Sequence, residues 1–457
     1  MSAIDIFVNS EDENESVISQ LQQLIRVPSI SAQNQSLPEC ATLVAKIMNE
    51  CGINSKLLYL EFSKTEENIP PIVYGEVKSI KNPNGKTLLF YNHYDVQPPE
   101  PLELWKSNPF DGNRDGNYIF GRGASDDKGE LITRIKAVEY YLRKTGDIPC
   151  NIKFVVEGEE EIGSPHIGQY LEKYRQKLQC DGIIWEFGYI DEKNRPIISL
   201  GMKGLLNVEM NVVGPNADVH SSHAVLIENP AWRLVSALSS LRDTKGKILI
   251  DNWNSDVREF TPEEIECINK EEEFDVQDFK KNHDLSNLIN ENDMELMKRS
   301  FVGGPTCNIA GLLSGYTGPG SKTILPGKAM AKLDLRLVPN MVPEKQFQKL
   351  RNYLDRIGFS DIKLTYLNGV AASRTSINHP FVKLIQQCAV QEYGQAITSV
   401  SSAGTGPMSF FNKILGAPCV SIGSTFKYSK MHSPNEFARI DLLKKTISCI
   451  GRIIEKF

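Results

Sequence analysis

Three short runs constrain the fold most: TLLFYN at 87–92, NIKFVVE at 151–157 and GIIWE at 182–186. They are apolar almost throughout, as strands are when both faces of their sheet are covered, and they lack the alternation of a strand with one wet face. Between the first two, Leu131, Ile135, Val138 and Leu142 recur at spacings of three and four, which predicts a helix. Val17, Ile18, Leu21, Leu24 and Ile25 share one helical face upstream, and a second helix is expected from about Pro38 to Cys51. This alternation implies an α/β fold, a mostly parallel sheet sandwiched by helices.

After Gly201 the texture changes. LLNVEMNVVG (205–214) and KAMAKLDLRLV (328–338) alternate like half-exposed antiparallel strands, and amphipathic helices are expected near 230–242 and 344–357. The charge-rich interval 261–300 reads as a solvated helical elaboration. From about Pro380 the first texture returns, with the strand APCVSIG (417–423) and a last helix carrying Leu443, Ile447, Ile450 and Ile454. The expected organisation is a discontinuous α/β domain, residues 1–203 and 377–457, with an α+β domain, 204–376, inserted in it. A chain of 457 residues is long enough for two cores.

A net charge of -6 provides no basic field for nucleic acid or an anionic membrane, so small solutes are the expected partners. The acidic start MSAIDIFVNSEDENE is unlike a signal peptide, and no stretch approaches the roughly 18–20 apolar residues of a membrane helix. The 9 cysteines are scattered singly, with no CxxC, which points to reduced thiols in the cytoplasm and away from a thiolate metal site. The N-x-S matches at Asn14 and Asn34 are accordingly read as chance.

Acidic and histidine residues gather where the strands end. His93 and Asp95 follow the first run in YNHYDVQP, and Asp126 and Asp127 stand in the loop GRGASDDKG before a helix. Glu159, Glu160 and Glu161 follow the next strand, Glu186 ends GIIWE, and His432 lies in KMHSPNE. In open parallel sheets, ligands collect in the crevice beyond the carboxyl ends of the strands. Taken singly, these are ordinary features: a surface histidine, a solvated acidic run, a carboxylate pair capping a helix. Together, so many carboxylates would repel one another unless cations sat among them, and a His/carboxylate set without thiolate suits zinc, cobalt or manganese.

The motifs HYDVQP, GRGASDDKG, EGEEEIGS, PTCNIAGLLSGYTGPGSKT and LRLVPNM, in this order, resemble the cocatalytic dinuclear-zinc metallopeptidase family of carnosinase-type cytosolic dipeptidases, aminoacylase, succinyl-diaminopimelate desuccinylase and glutamate carboxypeptidase. The resemblance implies a zinc-exopeptidase-like catalytic domain with an inserted lid and dimerisation domain. It implies two divalent ions, zinc with manganese or cobalt as alternatives, held by His93, Asp126, Glu161, Glu186 and His432. Asp126 would bridge, with a cis peptide after it, His93 and Glu186 serving one ion and Glu161 and His432 the other. Asp95 would stand behind His93 and fix its ring, and Glu160 would be the general base for a water activated between the ions. Glu159 matches no functional position and is expected to be a solvated carboxylate.

His220, in DVHSSH, would donate to the oxyanion, reaching across a homodimer; His223 departs from the glycines common there. Arg336 would grip the substrate carboxylate, Asn308 and Thr323 would contact substrate from the lid, and Thr405, in the rewritten segment SSAGTGPM, would bind the terminal carboxylate. GYTGPGSKT (315–323) is not a phosphate loop, because Ser321 separates Gly320 from Lys322.

The expected activity is metal-dependent hydrolysis of an amide bond in a dipeptide or short peptide. An N-acyl or N-carbamoyl amino-acid amidohydrolase, or a carboxypeptidase, is the alternative, and Glu186 leans that way because dipeptidases commonly carry Asp there. A non-catalytic metal-binding protein is a remote third reading, which the unliganded base Glu160 disfavours.

Overall fold

The structure is a computed structural model that describes residues 3–60, 69–270 and 276–457. The chain divides into two compact units, one formed by Met1–Gly201, Arg374–Val400 and Gly406–Phe457, the other by Met202–Ser373 and Ser401–Thr405.

The first unit is built on an 8-stranded sheet. Its central strands, Asn151–Glu157, Thr87–His93, Gly182–Trp185 and Cys419–Ser421, run parallel and are almost wholly buried, as expected of continuous apolar runs. Antiparallel strands Ile72–Val77 and Asn54–Leu58 extend one side of the sheet. Helices Glu11–Ile25, Leu37–Glu50, Lys128–Thr145 and Ile440–Lys456 bury the apolar positions read from the sequence, save Leu142, which is half-buried.

Lys128–Thr145 is the helix that the spacing of Leu131, Ile135, Val138 and Leu142 predicts, and every side of it from Lys128 to Tyr141 is buried. Its charges are accommodated by partners. Arg134 pairs with Glu130 at 2.9 Å with both side chains at 0% exposure, and Lys128 Nζ donates to the carbonyls of Leu24 and Val27.

The second unit has a 4-stranded antiparallel sheet in the order Asn308–Ser314, Lys328–Leu337, Gly204–Val213, Lys363–Val370. Leu206, Val208, Met210, Val212, Leu333 and Leu335 alternate inward and pack with Leu234, Leu238, Leu350 and Leu354 of helices Pro230–Leu241 and Pro343–Arg356. Segment 401–405, which the sequence assigns to the catalytic domain, groups here because Lys203 N donates to the carbonyls of Ser402 and Gly404, and Arg336 donates to Thr405. The interval 261–300 carries the helices Pro262–Lys270, Val276–Asn282 and Met294–Gly303, with 271–275 outside the described residues. Among the described residues, no helix is long and apolar enough to cross a membrane.

Candidate metal centre

The parallel strands place their carboxyl ends side by side. His93 pairs in register with Glu157, so the turn Glu160–Ile162 begins just beyond that level, and Glu186 follows directly on Gly182–Trp185. Asp126 comes from the loop before Lys128–Thr145, after a glycine-rich turn, and the Asp126–Asp127 peptide is cis. His432 comes from the segment between Thr425–Phe426 and Phe437–Arg439, with φ at 57°.

These segments converge on the carboxylate of Asp126. Its Oδ1 lies 3.0 Å from His93 Nε2 and its Oδ2 3.0 Å from His432 Nε2. Glu186 Oε2 stands 4.0 Å from His93 Nε2, and Glu161 Oε2 stands 3.2 Å from His432 Nε2. Asp126 thus faces one histidine with each oxygen, and each histidine has a glutamate beyond it. Ligand atoms of Asp126, Glu161 and His432 all lie within 4.8 Å of one another.

The electrostatics are those of crowded, poorly hydrated carboxylates. Burial pushes Glu160 well above the usual carboxyl range; His93 opposes this, and the charges of Glu161, Asp126 and Asp95 reinforce it. Burial likewise raises Glu186, with Glu160 adding to it, and raises Glu161, with Asp126 adding. Hydrogen bonds to Asp126 and Glu161 lift His432 to about 10, while those to Asp126 and Asp95 outweigh burial and raise His93. Burial works against ionisation of Asp126 too, but its bonds from His432 and His93 hold it below the ordinary range. Glu186 Oε2 is buried without a hydrogen-bond partner. A surplus of inward-facing carboxylate oxygens, two imidazoles and an orphaned oxygen form a donor set that divalent cations fit.

Several residues that hold this set in place carry no signal that spacing could reveal. Asp127 Oδ2 accepts from His93 N and Asn92 Nδ2, while Gln97 Nε2 donates to Glu161 Oε2. Arg134 donates to the carbonyls of Trp185 and Glu186, and its partner Glu130 accepts from Thr425 N and Oγ1. Gly423 is required here, since a Cβ would lie 2.3 Å from Glu130 Oε1.

Two expectations change in detail. His93 Nδ1 lies 3.0 Å from the carbonyl of Asp95 and 3.4 Å from its carboxylate, whose oxygens instead accept from Glu160 N and Glu161 N. Asp95 thus holds the glutamate turn as well as facing the ring. Glu159 is not solvated: it is buried, with both oxygens within 2.9 Å of His166 Nδ1.

The other sequence candidates lie in the second unit. His220 is exposed; its Nδ1 accepts from Ser222 N, and its strand pairs with Ile324–Leu325, bringing Thr323 alongside through the Ser221 N bond to the Thr323 carbonyl. Arg336 Nη1 donates to Thr405 Oγ1 at 2.7 Å, and Asn308 lies opposite Asp334, two residues from Arg336. The loop 315–323 runs between strands, with no helix after it.

Residues 89–456 match peptidase family M20/M25/M40. The M20 family metallo-carboxypeptidase Sso-CP2 from Sulfolobus solfataricus superposes with a TM-score of 0.87 at 39% identity, over 96% of this chain and 98% of that one. The Cys-Gly metallodipeptidase dug1 of Schizosaccharomyces pombe is 29% identical over 78% of this chain and 76% of its own. The human Beta-Ala-His dipeptidase is 29% identical over 74% of this chain and 66% of its own.

Proposed function

This chain belongs to peptidase family M20/M25/M40 and is a metallohydrolase, and from that premise we propose that it hydrolyses the amide bond of a dipeptide or short peptide at a site holding two divalent cations. The observation that carries the reading is Asp126, whose Oδ1 faces His93, itself 4.0 Å from Glu186, and whose Oδ2 faces His432, itself 3.2 Å from Glu161. The first pair would hold one cation and the second pair the other, with Asp126 shared; zinc suits the donors, manganese and cobalt being alternatives. Bound there, such ions acidify water and polarise a carbonyl.

The protein's own part is proton handling and orientation. Glu160 takes a proton from the attacking water on its carboxylate and returns it to the leaving nitrogen, a task for which burial tunes it upward. Asp95 fixes that turn through the N–H groups of Glu160 and Glu161. We assign Arg336 and Thr405 to the substrate carboxylate, Asn308 and Thr323 to further substrate contacts, and His220 to the oxyanion.

The His220 assignment includes a homodimer in which this histidine serves the partner's site. Exposed apolar side chains on the second unit, among them Val225, Leu226, Trp232 and Val235, support a dimer. Mixing a Glu160→Gln chain with a His220→Ala chain should then restore part of the activity in hybrid dimers. No rescue, with exchange of chains verified, contradicts service in trans. Free thiols at all 9 cysteines support a cytoplasmic location.

A second reading, a carboxypeptidase or an N-acyl or N-carbamoyl amino-acid hydrolase, is favoured by Glu186 and by the likeness to the Sulfolobus carboxypeptidase. A turnover panel of free dipeptides, N-blocked dipeptides, N-acetyl amino acids and N-carbamoyl amino acids separates the two. The dipeptidase reading expects free dipeptides to have the highest kcat/KM, and preference for a blocked amine overturns it.

A further inference from the structure

We propose that Glu436 is a positioning residue: it fixes the Asp126 loop and the His432 segment to each other, so that one cation's half-site is set before an ion binds. The inference rests on the metal-site reading above.

Glu436 is 0% exposed. Its Oε2 accepts from Arg122 Nη1 at 2.7 Å and Gly123 N at 3.1 Å; its Oε1 accepts from Ser125 N at 2.9 Å and Asp126 N at 3.1 Å. The loop thus wraps its N–H groups around a carboxylate, a backbone nest for an anion. Gly123 makes the wrap possible, with φ at +83° and room for no Cβ, which would meet Val96 Cγ1 at 2.6 Å. Arg122 is 1% exposed, donates also to the Pro98 carbonyl and lies over the Trp105 ring at 5.5 Å.

The other end of the device is covalent. Glu436 stands four residues after His432, and its neighbour Asn435 accepts from Lys106 N and donates to the Leu104 carbonyl. His432 needs such a strap: its side chain is 52% exposed, against 1% for His93, so packing does not hold it. Hydrogen-bonded partners behind metal ligands typically matter by about 10- to 100-fold in affinity.

Glu436→Gln keeps the shape but turns an amide NH2 toward two of the four donors. In the purified full-length enzyme, the chelator-competition dissociation constant of one of two Zn2+ ions should rise about 10- to 100-fold, the other staying near wild type. Titrated with Co2+, the variant should show d–d absorption saturating at the first equivalent under conditions where wild type saturates at the second. Adding Arg122→Met removes one misplaced donor and should recover part of the lost affinity, which a purely structural defect would not show. Folded Glu436→Gln with both wild-type affinities overturns the proposal. If Glu436→Gln does not fold, Glu436→Asp, charged but one methylene short, should weaken one ion about tenfold, and unchanged affinity overturns the proposal equally. His432→Ala separates the premises: loss of one ion there alone leaves the site reading intact, whereas two ions retained in His432→Ala removes the site itself.

Discussion

The two units surround their candidate site residues differently: in the first most are buried, His432 excepted, and in the second several are exposed. In the first, His93 and Asp95 are 1% and 0% exposed, and Asp95 and Asp127 accept from the backbone N–H groups of Glu160, Glu161 and His93. In the second, His220, Asn308 and Thr323 stand exposed. Gathering like charges demands rigid, desolvated support, because each carboxylate must be held against the repulsion of the others until cations arrive. Residues proposed to meet a substrate only transiently have no such demand and can stay hydrated.

The largest expected break of this contrast is in turnover. Glu160→Gln removes the proposed proton acceptor while leaving every proposed ligand, so kcat should fall about 10²- to 10⁴-fold with metal content unchanged by elemental analysis. Near-normal turnover would remove Glu160 from the mechanism. Stability provides the next test. Arg134→Met strands Glu130 in the interior of the first unit, a loss of about 3–5 kcal/mol measured by urea denaturation. The matched change in the second unit, Arg356→Met, breaks a pair with Asp251 that is 58%/49% exposed, and should cost at most about 1 kcal/mol. Equal losses would show that the two units do not differ in their reliance on buried charge.

A further test is pH-dependent. Glu157 is raised to about 8, chiefly by burial, although Tyr91 and Ser164 both donate to its Oε1. A carboxyl that holds its proton more tightly when folded makes the native state bind more protons than the unfolded one between the two pKa values. Its contribution to stability is therefore full on the acidic side and lost as pH rises toward 8. In metal-free enzyme, Glu157→Gln, whose amide oxygen can keep both bonds, should flatten the fall in unfolding free energy between pH 5 and 8, as read from urea midpoints at a series of pH values. An unchanged slope would assign that pH dependence elsewhere.

Legibility in the sequence follows the same divide. Apolar runs at 87–92, 151–157 and 182–186 announce their strands because burial on both faces leaves a continuous pattern, and the residues after them mark the crevice. What the sequence hides are partners in the interior. Glu130, Arg134 and Glu436 look like surface charges, since nothing in spacing along the chain tells that Glu436 meets Asp126, 310 residues upstream. Helix Lys128–Thr145 is legible as a helix, but the burial of its charged side is not, because the pairing that permits it lies in the interior. Glu159 is a smaller case, an acidic-run carboxylate captured by His166.

The central claim is that one carboxylate, Asp126, serves two cations at once, and metal stoichiometry of Asp126→Ala measures it directly. Wild-type enzyme stripped by chelator should be inactive and regain activity as two equivalents of Zn2+ are restored. His93→Ala and His432→Ala should each lose tight binding of one equivalent, and Asp126→Ala should weaken both. Two tightly bound ions in a folded Asp126→Ala variant, or activity that survives complete chelation, would contradict the account.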